Sequence, residues 1–341
     1  MARIHFLNVE EGDCTIIQHQ DGKISMIDVC SADASEERLF TKALESESLT
    51  GGIKGNFHQK DHPTNPVDYL RDLRVTSIFR YIQTHPDMDH MDGLDAIASS
   101  FDIVNFWDTK NTKQTEFDAK GRQGKYKKAD WDRYQTMRKS KLSPTALYFY
   151  DGNVNVYYAA DDNGPKQDDY IQILSPTPEL VTQANGDGKW NDCSYVILYH
   201  ICGRKVLFMG DADMRTINHL LENHKDDITD IDVLIAPHHG RDSDKDFSFL
   251  DTMKPKLTLF GNVPNKDAAH AEWNNRGLLH ITNNQAGNIL LDISSLGIIV
   301  AVSNQTFANR MTQASVKHDA LKYSLMDYWR LGTLKMKKHE G

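Results

Sequence analysis

Cysteine is scarce in this chain. Four occur, Cys14, Cys30, Cys193 and Cys202, none in a Cys-x-x-Cys spacing and all in apolar, strand-like surroundings. That argues against a cysteine-built zinc clamp or a dithiol redox motif, and buried reduced thiols are the expectation. Long apolar runs are missing as well. None approaches the eighteen residues of a membrane-spanning helix, and Met1-Ala2-Arg3-Ile4-His5 leads into Glu10-Glu11 rather than into the apolar stretch of a secretion signal. A soluble, cytoplasmic protein with no membrane partner is expected. Positive charge does not dominate: 39 Lys and Arg against 48 Asp and Glu leave a net charge of −9, which argues against indiscriminate binding of polyanions by the molecule as a whole. There is no internal repeat and no low-complexity tract, and 341 residues suffice for one large layered α/β domain.

What is present is more specific. His85-Pro86-Asp87-Met88-Asp89-His90 places four metal-binding side chains within six residues, directly after the apolar run Ile78 to Ile82. Neutral imidazoles and ionised carboxylates are the ligands that divalent ions accept, and crowding them together without an ion is costly. Adjacent Asp89 and His90 cannot share one ion with His85 and Asp87 without severe crowding, so the spacing suggests two metals. Two further apolar strands end abruptly in a ligand, Val206-Leu207-Phe208-Met209-Gly210-Asp211 and Val233-Leu234-Ile235-Ala236-Pro237-His238-His239-Gly240. In an open α/β sheet the loops at the carboxyl ends of strands gather along one edge, so three such groups can converge. Gly210 and Gly240 remove side-chain bulk where the backbone must turn sharply.

This combination resembles the metallo-β-lactamase fold superfamily, and within it the hydrolase domain of ComEC-type DNA-uptake proteins and its soluble relatives. The resemblance covers most of the chain: Phe6 to Cys14 as opening strand and Gly-Asp turn, Met26 to Cys30, Thr84 to His90, Asn191-Asp192-Cys193-Ser194, Leu207 to Asp211, and Pro237 to Gly240. It implies an αββα four-layer sandwich, two β-sheets enclosed by helices. It also implies a ligand set, with His85 and Asp87 on a first metal, Asp89, His90 and His238 on a second, and Asp211 bridging both. Asp28 would stand behind the ligands. Asp87 departs from the histidine usual in the wider superfamily, which leaves zinc, manganese and magnesium all open. Asn191 falls near the place of a further histidine ligand in that family.

The expected organisation is a hydrolase domain over 1–304 with a basic insertion around 108–150, and a helical appendage over 305–341 docked by Tyr323, Tyr328 and Trp329. A helix is expected at 36–46 and a strand at 154–159, and a basic tail begins at Lys335. From Lys110 to Lys141 there are eleven basic and four acidic residues. There Lys125, Lys127 and Lys128 would meet phosphates and Trp131 would stack on bases, the usual means of holding a single strand, although a solvated insertion would look the same. Two ions bridged by Asp211 would acidify a shared water into a nucleophile, with Asp89 essential to that centre and His239 or Lys245 neutralising the leaving oxygen. The resulting expectation is a metal-dependent phosphodiesterase or nuclease acting on DNA. The alternatives are a hydrolase of a cyclic nucleotide, lactone or amide, and a non-catalytic metal-binding subunit of a protein partner.

Overall fold

The computed structural model describes residues 1–30, 49–50, 53–54, 57–153, 160–161, 164–165, 169–243, 245–263, 267–316, 319–323 and 327–335. The helix expected at 36–46, the strand expected at 154–159 and the basic tail beyond Lys335 lie outside the described residues.

The first half of the chain supplies β1 (Ala2–Phe6), β2 (Thr15–Gln18), β3 (Ile24–Ile27), β4 (Ser77–Ile82), β5 (Asp102–Trp107) and β6 (Thr145–Leu147). Next come β7 (Asp169–Ser175), β8 (Val196–Ile201), β9 (Arg204–Phe208), β10 (Val233–Ile235), β11 (Leu257–Phe260) and β12 (His280–Thr282). The last group is β13 (Ile289–Ser294), β14 (Gly297–Val302), β15 (Lys322–Tyr323) and β16 (Tyr328–Leu334). Among the described residues, these form a ten-stranded sheet in the order β6-β5-β4-β3-β2-β1-β13-β14-β16-β15 and a six-stranded sheet in the order β7 to β12.

Three apolar layers show how the sheets are stacked. Alternate residues of both sheets, among them Ile4, Phe6, Ile82, Ile197, Tyr199, Phe208, Ile235 and Leu259, form one core between the sheets. The opposite face of the first sheet packs on helices α1 (Pro66–Asp72), α2 (Leu94–Ser100) and α3 (Lys128–Met137) through Leu70, Ile97, Trp131 and Tyr134. Beyond α4 (Pro178–Asp187), the helices α5 (Met214–Asn223), α6 (Phe249–Met253) and α7 (His270–Asn275) cover the second sheet through Ile217, Leu220, Leu250 and Trp273. Strands buried on both faces need apolar side chains on both, which is why β8 to β11 are mostly hydrophobic, with His200, Arg204, Lys205 and Thr258 as the exceptions. The result is helix, sheet, sheet, helix, the αββα sandwich.

Two stretches depart from expectation. The segment after 305 is not all helical: a helix Gln305–Val316 is followed by β15 and β16, and β16 pairs antiparallel with β14 on the open side of the first sheet. An unpaired strand edge offers a row of free backbone donors and acceptors that a further strand satisfies. The basic segment is likewise part of the frame, because α3 belongs to the outer helical layer and β6 pairs parallel with β5.

Candidate metal centre

The site lies where the two sheets present strand ends to each other. β3 and β4 run parallel and so do β9 and β10, so Asp28 and His85 leave the first sheet side by side, as Asp211 and His238 leave the second. The backbone joins the groups: the amide of Tyr195 donates to Thr84 O at 2.9 Å, and that of His238 to Gly210 O at 2.9 Å. A Cβ at Gly210, where φ is 50°, would stand 3.0 Å from the Thr84 Cβ, so glycine is what lets the second sheet's loop approach the first.

Asp211 is the centre of the arrangement. Its Oδ1 faces His90 Nε2 at 3.1 Å and His239 Nε2 at 3.6 Å, and His239 Nε2 is 3.7 Å from Asp89 Oδ2. Its Oδ2 faces His85 Nε2 at 3.7 Å and His238 Nε2 at 3.6 Å, and His85 Nε2 is 3.9 Å from Asp87 Oδ2. The seven side chains therefore fall into two halves that share one carboxylate. His85, His90, Asp211 and His239 are buried, whereas Asp87, Asp89 and His238 open towards solvent.

His238 and His239 stand elsewhere than expected. The sequence places His238 with Asp89 and His90, and His239 as a donor towards a leaving oxygen. Instead His239 joins Asp89 and His90, with side-chain exposure of only 3%, and His238 stands on the half of His85 and Asp87. Both residues hold left-handed backbone, φ 54° and 59°, which is uncommon outside glycine and sends two neighbouring imidazoles to opposite oxygens of Asp211.

Carboxylates orient the buried imidazoles. Asp28, itself at φ 54°, accepts from His90 Nδ1 at 2.7 Å and from the Thr84 amide at 2.8 Å and hydroxyl at 2.5 Å. Asp13, named in the sequence only as part of a turn, lies 3.0 Å from His239 Nδ1. His90 Nδ1 is hydrogen-bonded to its carboxylate and His239 Nδ1 stands beside its own, while each Nε2 faces the cluster, the usual way of fixing a metal-binding histidine. Burial opposes charge on His90, but Asp211 and Asp28 outweigh it and hold its pKa well above the usual value. Burial likewise opposes charge on His239, yet Asp13 and Asp211 push it up to about 10. Asp211, despite burial, is held well below the usual carboxylate range by His90, His239 and His85. The half that holds His90 and His239 thus favours positive charge, whereas burial lowers His85 on the other half.

Divalent ions fit this arrangement. His85 Nε2, His90 Nε2, His239 Nε2 and Asp211 Oδ1 are buried and have no hydrogen-bond partner among the described residues, although each converges on the same small volume. Such groups are almost always paired in folded proteins or bound to an ion. Asp89, His90, Asp211 and His239 bring ligand atoms within 4.8 Å of one another.

Around the cluster stand cations. Lys245 has its Nζ 4.0 Å from Asp213 Oδ1 and without a hydrogen-bond partner among the described residues, and burial pulls its pKa below the usual lysine value. Burial and then Lys245 lower His238 to about 4, Asp211 pulling the other way. Lys113, counted in the sequence only as part of the basic segment, donates to Asp87 Oδ1 at 2.5 Å. Asn191 lies in the short 3-10 turn Trp190–Cys193, half-buried, with its carbonyl accepting from the Ser194 amide, and it is not among the side chains that meet at Asp211.

The expected substrate-binding residues are placed otherwise. Trp131 is 6% exposed and packs on Tyr134 in the outer core, so its faces are unavailable for stacking on bases, a correction set by the period of α3, which buries Trp131, Tyr134 and Met137 on one side. Lys128 pairs with Asp132 at 2.5 Å one helical turn away, and Lys125 with Glu11 at 2.5 Å. Lys127 is half-buried in the short strand Tyr126–Lys127. Arg133 and Arg138 are likewise engaged, with Asp95 and Asp108.

No protein-family model matches this sequence, and no curated protein matches it either. Among solved structures it is similar to the metallo-β-lactamase fold protein YhfI from Bacillus subtilis, at 10% identity over 82% of this chain and 95% of that one, with a TM-score of 0.40. It is similar to CmlA, a diiron β-hydroxylase from Streptomyces venezuelae, at 13% identity and a TM-score of 0.45, over 86% of this chain but 54% of that one. Zinc-bound PqqB from Methylobacterium extorquens is matched at 8% identity, over 86% of this chain and the whole of that one, with a TM-score of 0.45. Read from its own two sheets and three apolar layers, this chain has the αββα four-layer fold expected from its sequence.

Proposed function

We propose that this protein is a metal-dependent phosphodiester hydrolase working at a centre of two divalent ions, zinc, manganese or magnesium. His85, Asp87 and His238 would hold one ion, Asp89, His90 and His239 the other, and Asp211 would bridge them. Ions there would supply Lewis acidity, lowering the pKa of bound water and polarising the oxygen under attack. The observation that carries phosphate as the substrate group is Lys245, a buried ammonium beside the Asp211 cluster that makes no hydrogen bond among the described residues. Asp213 at 4.0 Å offsets its charge without taking its protons, so its donors are left for the oxygens of a phosphodiester. Lys245 would hold the non-bridging or leaving oxygen while Asp13 and Asp28 keep the imidazoles in register.

DNA as the particular substrate, like the narrower likeness to ComEC-type domains, rests on the sequence motifs and the basic segment. With Trp131 buried and Lys125 and Lys128 paired, a small phosphodiester such as a cyclic nucleotide is the second reading. The test is turnover of bis-(p-nitrophenyl) phosphate, cyclic nucleotides and labelled single- and double-stranded DNA by the full chain reconstituted with each metal, beside an Asp89→Ala control. Phosphodiester cleavage lost in that control is expected. Bound metal with no turnover of any phosphodiester, or turnover confined to lactones or amides, would overturn the proposal.

Two variants refine it. Lys245→Ala is expected to lower kcat/KM about 100-fold, the usual cost of removing one donor to a developing oxyanion, with metal content unchanged by elemental analysis. Asp13→Asn and Asp28→Asn are each expected to weaken metal binding about 10- to 100-fold, read by competition with a chromophoric chelator. Unchanged affinity in both would show that neither carboxylate supports a ligand.

A further inference from the structure

A second convergence of imidazole and carboxylate lies at the other end of α5. That helix starts next to Asp211 with its Asp213 cap and runs ten residues to Asn223, about 15 Å at 1.5 Å per residue. His219 projects from its last turns and His224 closes it, and both present Nε2 to one oxygen of Asp151, in the turn that follows Phe149. His219 Nε2 lies 3.1 Å and His224 Nε2 2.9 Å from Asp151 Oδ2, and the three ligand atoms are within 4.8 Å of one another.

We infer that Asp151, His219 and His224 form a separate site for a transition-metal ion of the zinc class, which ties the carboxyl-terminal end of α5 to the loop leaving β6. Two nitrogens and a carboxylate oxygen are a common zinc donor set, and bonds of about 2.0–2.1 Å in tetrahedral geometry place neighbouring ligand atoms about 3.3 Å apart. The two nitrogen-to-oxygen separations, 3.1 and 2.9 Å, are near that spacing. His219 Nε2 meets Asp151 Oδ2 in hydrogen-bond geometry, whereas His224 Nε2, buried and 2.9 Å from the same oxygen, does not. A ligand directed at a shared ion rather than at its neighbour has this form.

The surroundings support the imidazoles as ligands. Asp227 Oδ2 lies 3.0 Å from His224 Nδ1, leaving Nε2 free to coordinate, and the same oxygen accepts from Gln172 Nε2 at 3.1 Å. Asn223 Nδ2 donates to the His219 carbonyl at 3.0 Å and stands 3.1 Å from His219 Nδ1, which holds the ring in place. Asp151 is itself held, its amide donating to Pro176 O at 2.8 Å. Three protein ligands at the half-buried edge leave a fourth position for water.

The site is independent of the phosphodiesterase reading and is tested without activity. Full-length wild type, Asp151→Asn and the double variant H219Q/H224Q would be stripped, reloaded with zinc or cobalt(II), desalted and assayed for ions per chain, with cobalt visible bands as a second readout. Both variants are expected to carry one ion fewer than wild type, with the ions that depend on Asp211 retained. Equal ion counts and cobalt spectra in wild type and variants would overturn the site and leave the three residues as a hydrogen-bonded ion pair. Should the double variant fail to fold, Asp151→Asn, nearly isosteric, decides alone.

Discussion

Asp211→Asn is expected to cost about a thousandfold or more in phosphodiester turnover and to empty both halves of the metal centre together. The expectation follows from geometry. One carboxylate places an oxygen towards each half, His90 and His239 on one side and His85 and His238 on the other, all within 3.1 to 3.7 Å. An amide keeps the size of the side chain but removes the negative charge and one acceptor, so neither half retains its shared ligand. Metal activation contributes several kcal/mol to such reactions, and each 1.4 kcal/mol is about tenfold in rate, so losing about 4 kcal/mol gives the stated factor. His239→Ala and His238→Ala should separate what Asp211→Asn joins. The first is expected to lose the ion that Asp89→Ala loses, the second the ion of the other half, and elemental analysis with turnover reads all four variants. Two ions and undiminished activity in Asp211→Asn would remove the bridging carboxylate from the account and the hydrolase proposal with it.

What the sequence revealed of this site, and what it hid, has a physical cause. The hexapeptide from His85 to His90 and the isolated Asp211 were legible because each follows an apolar strand, and parallel neighbouring strands bring their carboxyl ends to one edge. The roles of His238 and His239 were not. Two adjacent identical side chains have the same local pattern, and what separates them is a pair of left-handed backbone torsions, followed by Gly240, where a Cβ would come within 2.3 Å of the Phe260 ring. Asp13 was visible as part of a turn, but its role depends on a contact across 226 positions with His239. Charge counting over Lys110 to Lys141 registered the sign of the segment and not the partners of its members. Lys113 on Asp87, Lys125 on Glu11 and Arg138 on Asp108 are engaged within the fold, and Lys128 pairs with Asp132 on the surface. The same limit applies to the end of the chain, where Tyr328 and Trp329 were read as docking residues of a helical segment. Burial along β16 does not alternate, and its pairing is supplied by the open neighbour β14 more than by its own composition.

Trp131→Ala is expected to destabilise the protein by about 3–5 kcal/mol, the range for truncating a large aromatic in a packed core, while leaving the phosphodiesterase activity of the folded fraction close to that of wild type. The indole is 6% exposed, its ring centre is 5.3 Å from that of Tyr134, and it shares a core with Leu94, Ile97 and Phe106. Removing it leaves a cavity between α3 and the first sheet that the neighbouring Asp130, which accepts from the Asp95 amide at 3.0 Å, cannot collapse to fill. A base-stacking role makes the opposite forecast: about 1–3 kcal/mol of affinity for single-stranded DNA would disappear and stability would hardly move. Urea unfolding midpoints measured beside DNA binding at several salt concentrations distinguish the two. Lys128→Ala provides the scale, because an exposed pair one helical turn apart contributes only about 0.3–0.5 kcal/mol, so its unfolding midpoint should barely shift. If Trp131→Ala kept wild-type stability and lost DNA affinity, the segment would be a nucleic-acid grip after all, and its burial in the outer helical layer would not describe the protein in solution.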